Sequence, residues 1–374
     1  MRQANPLLLL ACLVGISVGG CRASPVGMRP GAAPEEDLLL AYRARDERLL
    51  EAIARSLAWF DTGASHAYFP DSRTGPRADP AAVTHARARA SVVELRRCLL
   101  EAADERDFAA RVAEHFDVCA ATGGDGANGP SGAGPVQFTA YYAPECAASR
   151  DRSGRFRFPL YAPPPGWTPG APWHPRHAIE DGDLLAGREI AWLEDALDVY
   201  LVQVNGSALL RLAGGGVMRV GHAGTNELAY TSLGRLLVEE GLADESEMSI
   251  ATIQGLFETH PDRVTALMRR NDRFVFFEEL AADAWPRSAL GIPLTPGSSL
   301  AADKSVFPPG VVTLVRTTLA GGRPYVRFML DQDAGGAITG PGRADLYLGV
   351  GEEAGRVAGA QRARGRLYYL IVRH

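Results

Sequence analysis

The stretch Asp331-Gln332-Asp333-Ala334-Gly335-Gly336-Ala337-Ile338 continues through Thr339-Gly340-Pro341-Gly342-Arg343-Ala344 into Asp345-Leu346-Tyr347-Leu348-Gly349, and it holds the residues best suited to chemistry. Two glycines after Asp333 permit a backbone conformation or a close approach that a Cβ forbids, and a second Gly/Pro turn brings the chain to Asp345 on a short strand. Two carboxylates can then face one cleft, as general acid and base work requires. Spacing alone favours a plainer account, ordinary turn chemistry and surface charge. Other chemistries lack their residues. No P-loop, no dinucleotide-binding glycine pattern ahead of a helix, no HExxH and no GxSxG stands in a convincing context. Beyond Cys21 the chain has Cys98, Cys119 and Cys146, with no CxxC spacing and no accompanying His cluster. Neither a metal nor another cofactor is expected, and at most one internal disulfide forms among the three.

The elements that must position these aspartates follow from hydrophobic patterning. With 374 residues, 46% hydrophobic and 22% charged, the chain can bury one large core or two smaller ones, and disorder is excluded as its dominant state. A net charge of -5 supplies no basic field for a phosphate backbone, so nucleic acid is not an expected partner. Lys304 is the sole lysine, a bias that base composition of the genome explains. Leucines and alanines at helical spacing predict amphipathic helices in Asp37 to Phe60 and Asp79 to Phe116. After a Gly/Ser/Asn/Pro stretch, Val136 to Tyr142 reads as a strand, and the proline-rich loop Ala162 to Arg176 cannot join a sheet interior. Leu197 to Val204 is largely apolar and, with Ala208 to Leu212 and Val217 to Val220, predicts a small all-β cluster. Helices return at Thr231 to Glu240, Met248 to Thr259 and Asp262 to Arg270, and Phe274 to Phe277 reads as another strand. From Val311 to Val372 short strands alternate with glycine turns, which argues for a compact barrel or sandwich.

The N-terminus carries an export signal: Arg2, then the apolar run Leu7 to Val18, too short to span a bilayer as a mature helix. Val18-Gly19-Gly20-Cys21 resembles the lipobox of bacterial lipoproteins, which makes 1–20 a signal peptide and Cys21 the lipidation site; the alternative is a buried cysteine after an ordinary signal. Arg22 at the next position favours the outer membrane. Residues 21–36, with three prolines and no apolar period, read as a tether reaching roughly 45 Å if extended.

Several blocks in order resemble the membrane-bound lytic murein transglycosylase A family: Phe138 to Glu145 (FTAYYAPE), Asp181 to Ser207, Ala223 to Leu237 (AGTNELAYTSLGRLL), Met248 to Gln254, Phe274 to Glu279 and Gly291 to Ser305. The block Asp333 to Leu370 resembles the three-aspartate domain that closes these enzymes, taken here as 300–374. The resemblance implies a mainly β fold with helices: a double-psi β-barrel domain built from 37–142 and 281–374, N-terminal helices packed on it, and a smaller inserted β domain from 143–280. Peptidoglycan glycan strands would lie in the groove between them, on an enzyme anchored by lipid to the outer membrane and facing the periplasm, with other cell-wall enzymes as candidate partners. Family members cleave the β-1,4 bond between N-acetylmuramic acid and N-acetylglucosamine and leave a 1,6-anhydro sugar.

Matched motif to motif, Asp345 falls on the catalytic aspartate and Asp333 and Asp303 on the other two of the trio; Thr139, Tyr141, Gln203, Gly206, Ser207, Gly224 and Tyr230 would contact substrate. One acid suffices for this chemistry, because the sugar's own C6 hydroxyl replaces the water or second carboxylate of an ordinary glycosidase. Such an acid needs its pKa raised from about 3.9 to about 6 or 7, for which burial and the like charge of Asp333 are the evident sources. The residues leave several points open. Asp333 either raises the pKa of Asp345, stabilises charge at the anomeric carbon or fixes the turn; Asp303 fits turn chemistry ahead of Ser305 as well as catalysis. Tyr141, Tyr142 and Tyr230 suit sugar stacking or the core alike, and His222 suits a buried position better than proton transfer. Ala140, Asn205, Ala208, His222 and Ala229 depart from the family pattern, all of them near the expected groove. An inverting hydrolase using Asp333 and Asp345 with water, and a non-catalytic peptidoglycan-binding lipoprotein, are the competing readings.

Overall fold

The computed structural model describes residues 27–69, 83–124 and 134–373. The signal segment, Cys21 and residues 22–26 lie outside the described residues, as do 79–82 of the second expected helical region. The chain opens with β1 (Met28–Pro30), followed by helices α1 (Glu35–Arg43), α2 (Glu47–Phe60), α3 (His85–Glu101) and α4 (Glu105–His115), and then by β2 (Phe116–Ala121) and β3 (Val136–Ala143). Side chains stop these helices fraying: Asp46, Thr84 and Asp104 accept hydrogen bonds from the first turns of α2, α3 and α4. A middle part alternates β4 (Glu145–Ser149), β5 (Phe158–Tyr161), α5 (Arg176–Asp181), β6 (Glu189–Leu193), α6 (Ala196–Asn205), β7 (Ser207–Leu212) and β8 (Val217–Thr225). Helices α7 (Leu233–Glu239), α8 (Ile250–Thr259) and α9 (Pro261–Met268) and strand β9 (Val275–Glu279) complete it. The last part contains β10 (Ser299–Ala301), β11 (Val312–Leu319), β12 (Arg323–Asp333), β13 (Arg343–Val350), α10 (Gly351–Ala360) and β14 (Ala363–Val372).

The architecture is mixed α/β. Six strands in the order β14-β11-β12-β10-β13-β3 close on themselves through the β3–β14 pairing, and β2 and β1 extend this barrel from β14. Closure leaves no open edge among those six. The barrel interior and the layer between barrel and helices form one core, in which Phe108 of α4 meets Phe328 of β12 edge-on, with ring centroids 5.5 Å apart. Gln332 pins α2 to the barrel, its Nε2 donating to the Ala52 carbonyl at 2.7 Å and to Ser56 Oγ at 2.9 Å. A break in the β10–β12 register sets Asp331 against Leu300 and Asp333 against the next residue, Ala301, so the two aspartates turn to opposite faces of the barrel wall. A second sheet, β5-β6-β4-β7-β8-β9, uses residues between 145 and 279 and is backed by its own helical layer.

Two expectations fail here for clear reasons. Leu197 to Val204 is not a strand but lies within α6: Asp195 caps its start by accepting from the Asp198 N–H at 2.8 Å, and Gly206, at φ 75°, ends it in the left-handed region. Its apolar residues surround the helix because Leu197, Tyr200 and Leu201 pack on α7 and α9 while Val202 packs on the second sheet. The tether is also shorter than residues 21–36, since Met28, Arg29 and Pro30 pair with Ala121, Ala120 and Cys119 and α1 starts at Glu35. Proline suits that edge strand, which has a free side. Among the described residues no helix is long and apolar enough to cross a membrane, and Cys98, Cys119 and Cys146 are free thiols.

Candidate active site

Three adjacent strands set the site. Strand β10 lies between β12 and β13, and its Ala301 is in register with Asp333 on one side and with Asp345 on the other. At about 4.8 Å per strand, the two aspartate Cα atoms stand roughly 9.6 Å apart, on one face. On the far side of β13 the parallel strand β3 sets Thr139 against Asp345 and Tyr141 against Tyr347. Nothing in a separation of twelve residues dictates this; the register of β10 does.

The two carboxylates have different surroundings. Asp333 is 8% exposed and fully engaged: Oδ2 accepts from Tyr141 Oη at 2.6 Å, and Oδ1 accepts from the N–H groups of Ala289 and Ala334, both at 2.8 Å. Burial raises its pKa against the opposing pull of those donors. Asp345 is half-buried at the wall of the groove, and its Oδ1 has no hydrogen-bond partner. Burial pushes its pKa up to about 6; Thr139 and the Arg343 charge act the other way, and the like charge of Asp333 adds a smaller upward push. Such a group exchanges its proton near neutral pH.

A cavity of about 370 Å³ opens over Asp345. Thr139, Tyr141 and Gly335 to Ile338 line it from the barrel side, and Arg176, Gln203, Tyr230, Asn271 and Arg273 from the second sheet and its helices. Gly336 lies where a Cβ would come within 3.4 Å of the Arg273 guanidinium, so the glycine turn after Asp333 lets the two halves meet across the groove. Tyr142 also reaches the cavity, but most of its ring is buried against Gly355 of α10.

Other expected site residues do not line this cavity. Gly206 is the stop of α6, with only the His222 side chain near where its Cβ would be. Ser207 begins β7, its buried Oγ without a partner. Gly224 sits under the Trp167 indole, 2.2 Å from where its Cβ would be, and so packs the second sheet. Asp303 clasps two turns: Oδ1 accepts from Ser305 N at 2.8 Å and Ser305 Oγ at 2.6 Å, and Oδ2 accepts from Gly340 N at 2.6 Å. Although burial opposes it, these donors and the Lys304 charge hold its pKa below the usual carboxylate value. His222 is pushed down to about 4 by burial and by the Arg273 and Arg287 charges, so it is neutral at neutral pH.

Residues that spacing did not reveal complete the walls. Arg176, 2% exposed, donates from Nε to the Asn271 carbonyl at 2.9 Å and from Nη2 to Gln203 Oε1 at 2.6 Å and the Arg273 carbonyl at 2.7 Å. Asn226 bonds the carbonyls of His174 and Asp272 at 2.9 and 2.7 Å and accepts from Phe274 N at 2.8 Å. A proline-rich loop before Arg176 and a lone Asn after Gly224 gave the only hint of these clamps. Lys304 is buried in an ion pair with Asp331, whose other oxygen accepts from Tyr369 Oη at 2.8 Å.

Family models and known proteins match this chain over most of its described length. The model described as "MltA specific insert domain" matches residues 137–278, and that of the "3D domain" matches 298–371. A membrane-bound lytic murein transglycosylase A of Escherichia coli (strain K12) is 34% identical over 247 residues, 63% of this chain and 66% of that protein. The protein of that name from Vibrio cholerae is 31% identical over 246 residues, again 63% and 66%. The chain thus aligns with just under two thirds of the length of these curated relatives. A crystal structure of a membrane-bound lytic murein transglycosylase from Agrobacterium tumefaciens superposes with a TM-score of 0.70 at 25% identity, covering 89% of this chain and 94% of that one. E. coli MltA with bound chitohexaose shares the fold, with a TM-score of 0.68 at 24% identity over 94% and 95% of the two chains.

Proposed function

This chain belongs to the membrane-bound lytic murein transglycosylase A family, and we propose that it cleaves the β-1,4 bond between N-acetylmuramic acid and N-acetylglucosamine in peptidoglycan, leaving a 1,6-anhydro sugar. Asp345 is the acid and then the base. The observation that carries this reading is the contrast between the carboxylates: Asp345 lines the cavity with a buried, unpartnered Oδ1 and a pKa of about 6, while three donors occupy Asp333. Asp345 gives its proton to the glycosidic oxygen as the C1–O4 bond breaks. The C6 hydroxyl of the muramic sugar attacks C1 and returns its proton to Asp345, so no water is consumed. An inverting hydrolase needs a second carboxylate free to activate water, and the engagement of Asp333 speaks against it.

Thr139, Tyr141, Gln203 and Tyr230 serve as substrate contacts in this reading. Asp333 positions Tyr141 and keeps negative charge near the anomeric carbon; Asp303, Gly206, Ser207 and Gly224 act through the walls they hold. Chitohexaose in a related structure supports a saccharide as the groove's ligand. The barrel is read as a double-psi barrel of 37–142 and 281–374 around an insert of 143–280. Cys21 carries the lipid that anchors the enzyme to the outer membrane, facing the periplasm.

The test is Asp345→Asn with purified sacculi, the products resolved by mass spectrometry. We expect anhydromuropeptides from the native enzyme and none from the variant, which still binds sacculi. Reducing ends from the native enzyme would point to hydrolysis, and binding without any release would point to a non-catalytic wall-binding protein.

A further inference from the structure

We infer that Arg343 distinguishes muramic acid from N-acetylglucosamine, its guanidinium pairing with the carboxylate of the lactyl ether on a peptide-free muramic residue bound beside Asp345. The inference rests on the glycan reading above and adds a recognition residue to it. On β13, Arg343, Asp345 and Tyr347 alternate onto one face, in register with Gln137, Thr139 and Tyr141 of β3. Two residues along a strand span roughly 6.6 Å, about the width of one sugar ring. A saccharide whose glycosidic oxygen meets Asp345 therefore has the substituents of the adjoining ring within reach of Arg343.

The guanidinium has capacity to spare. Its Nε is buried and donates to nothing, and among the described residues no carboxylate forms an ion pair with it. Arg176 across the groove is different, being taken up by Gln203, Glu180 and two carbonyls. Arg343 lines, with Gln137 and the turn Thr339 to Gly342, a pocket of about 390 Å³ that lies two residues along β13 and β3 from the cavity over Asp345 and Thr139. A partly desolvated guanidinium with a free donor is best satisfied by a planar anion that accepts two hydrogen bonds, not by a hydroxyl or an acetamide. In the alternating glycan only the muramic sugar carries such a group.

Binding is measured by calorimetry in the Asp345→Asn background with two probes, chitohexaose, which lacks a carboxylate, and peptide-free murein glycan of matched length. Arg343→Gln is expected to weaken murein glycan about tenfold or more and to leave chitohexaose within about twofold, with Arg343→Lys recovering part of the loss. Equal weakening of both probes, or murein binding unchanged, overturns the inference. Should Arg343→Gln fail to fold, Arg343→Lys carries the test alone, with selective weakening in favour and uniform or absent weakening against. Retained cleavage in the Asp345→Asn background is read from the products and would overturn the acid assignment, separately from the affinities.

Discussion

Asp345→Asn should make the protein more stable at neutral pH while removing its activity. In the unfolded chain this carboxyl titrates near the ordinary value of 3.8, whereas in the fold burial holds it at about 6. Below 3.8 both states keep the proton and the group costs nothing. As pH rises from there to about 6, the unfolded chain releases its proton and the folded one does not, so stability falls; above about 6 the cost stands in full. At about 1.4 kcal/mol for each tenfold change in the proton equilibrium, the rise amounts to at most about 3 kcal/mol. Asparagine has nearly the same shape and no charge, so it removes this cost. Thermal or urea denaturation of the two proteins should show no difference at pH 3.5 and a gain approaching that limit at pH 7.5, roughly 2 to 4 °C in melting temperature for each kcal/mol. A variant less stable than the native protein at pH 7.5, or a difference that does not change with pH, would refute the idea that burial stores free energy in an acid kept ready to give up its proton.

Tyr141→Phe removes the donor at 2.6 Å from Asp333 Oδ2 and leaves a buried oxygen unsatisfied, for an expected loss of about 1–3 kcal/mol. Asp333 then titrates higher still, its repulsion of Asp345 weakens, and the alkaline limb of the pH–rate profile for anhydromuropeptide release should move to lower pH; an unmoved limb counts against the coupling. Lys304→Met leaves Asp331 buried without its cation and should cost about 3–5 kcal/mol in thermal denaturation, most of it recovered by the double variant Lys304→Met/Asp331→Asn. If the double variant is no more stable than the single one, the lysine's role lies elsewhere.

Local patterns carried much of the fold. Apolar spacing located the helical regions that hold α2, α3 and α4, whose caps the structure then showed, and glycine turns between short apolar runs located the strands from β11 to β14. The apolar run within α6 misled because a helix packed on two sides is as continuously apolar as a buried strand, and only Asp195 and Gly206 at its ends distinguish the two. Arginine bias hid the one lysine that matters, since composition does not show that Lys304 is buried against Asp331.

The candidate site divides along the same line. The sequence by itself determined which residue types were available, two aspartates around a glycine turn and a tyrosine-rich strand, and their likeness to a known family. It could not set their relation in space, because pairing of β3 with β13 and β14 and the insertion of β10 between β12 and β13 join residues far apart in the chain. Tertiary structure alone decided that Asp333 is saturated by donors while Asp345 keeps an oxygen free, and that Asp303 serves a turn. The physical reason is that proton affinity depends on burial and on neighbouring donors and charges, and none of these is a property of a residue's place in the chain.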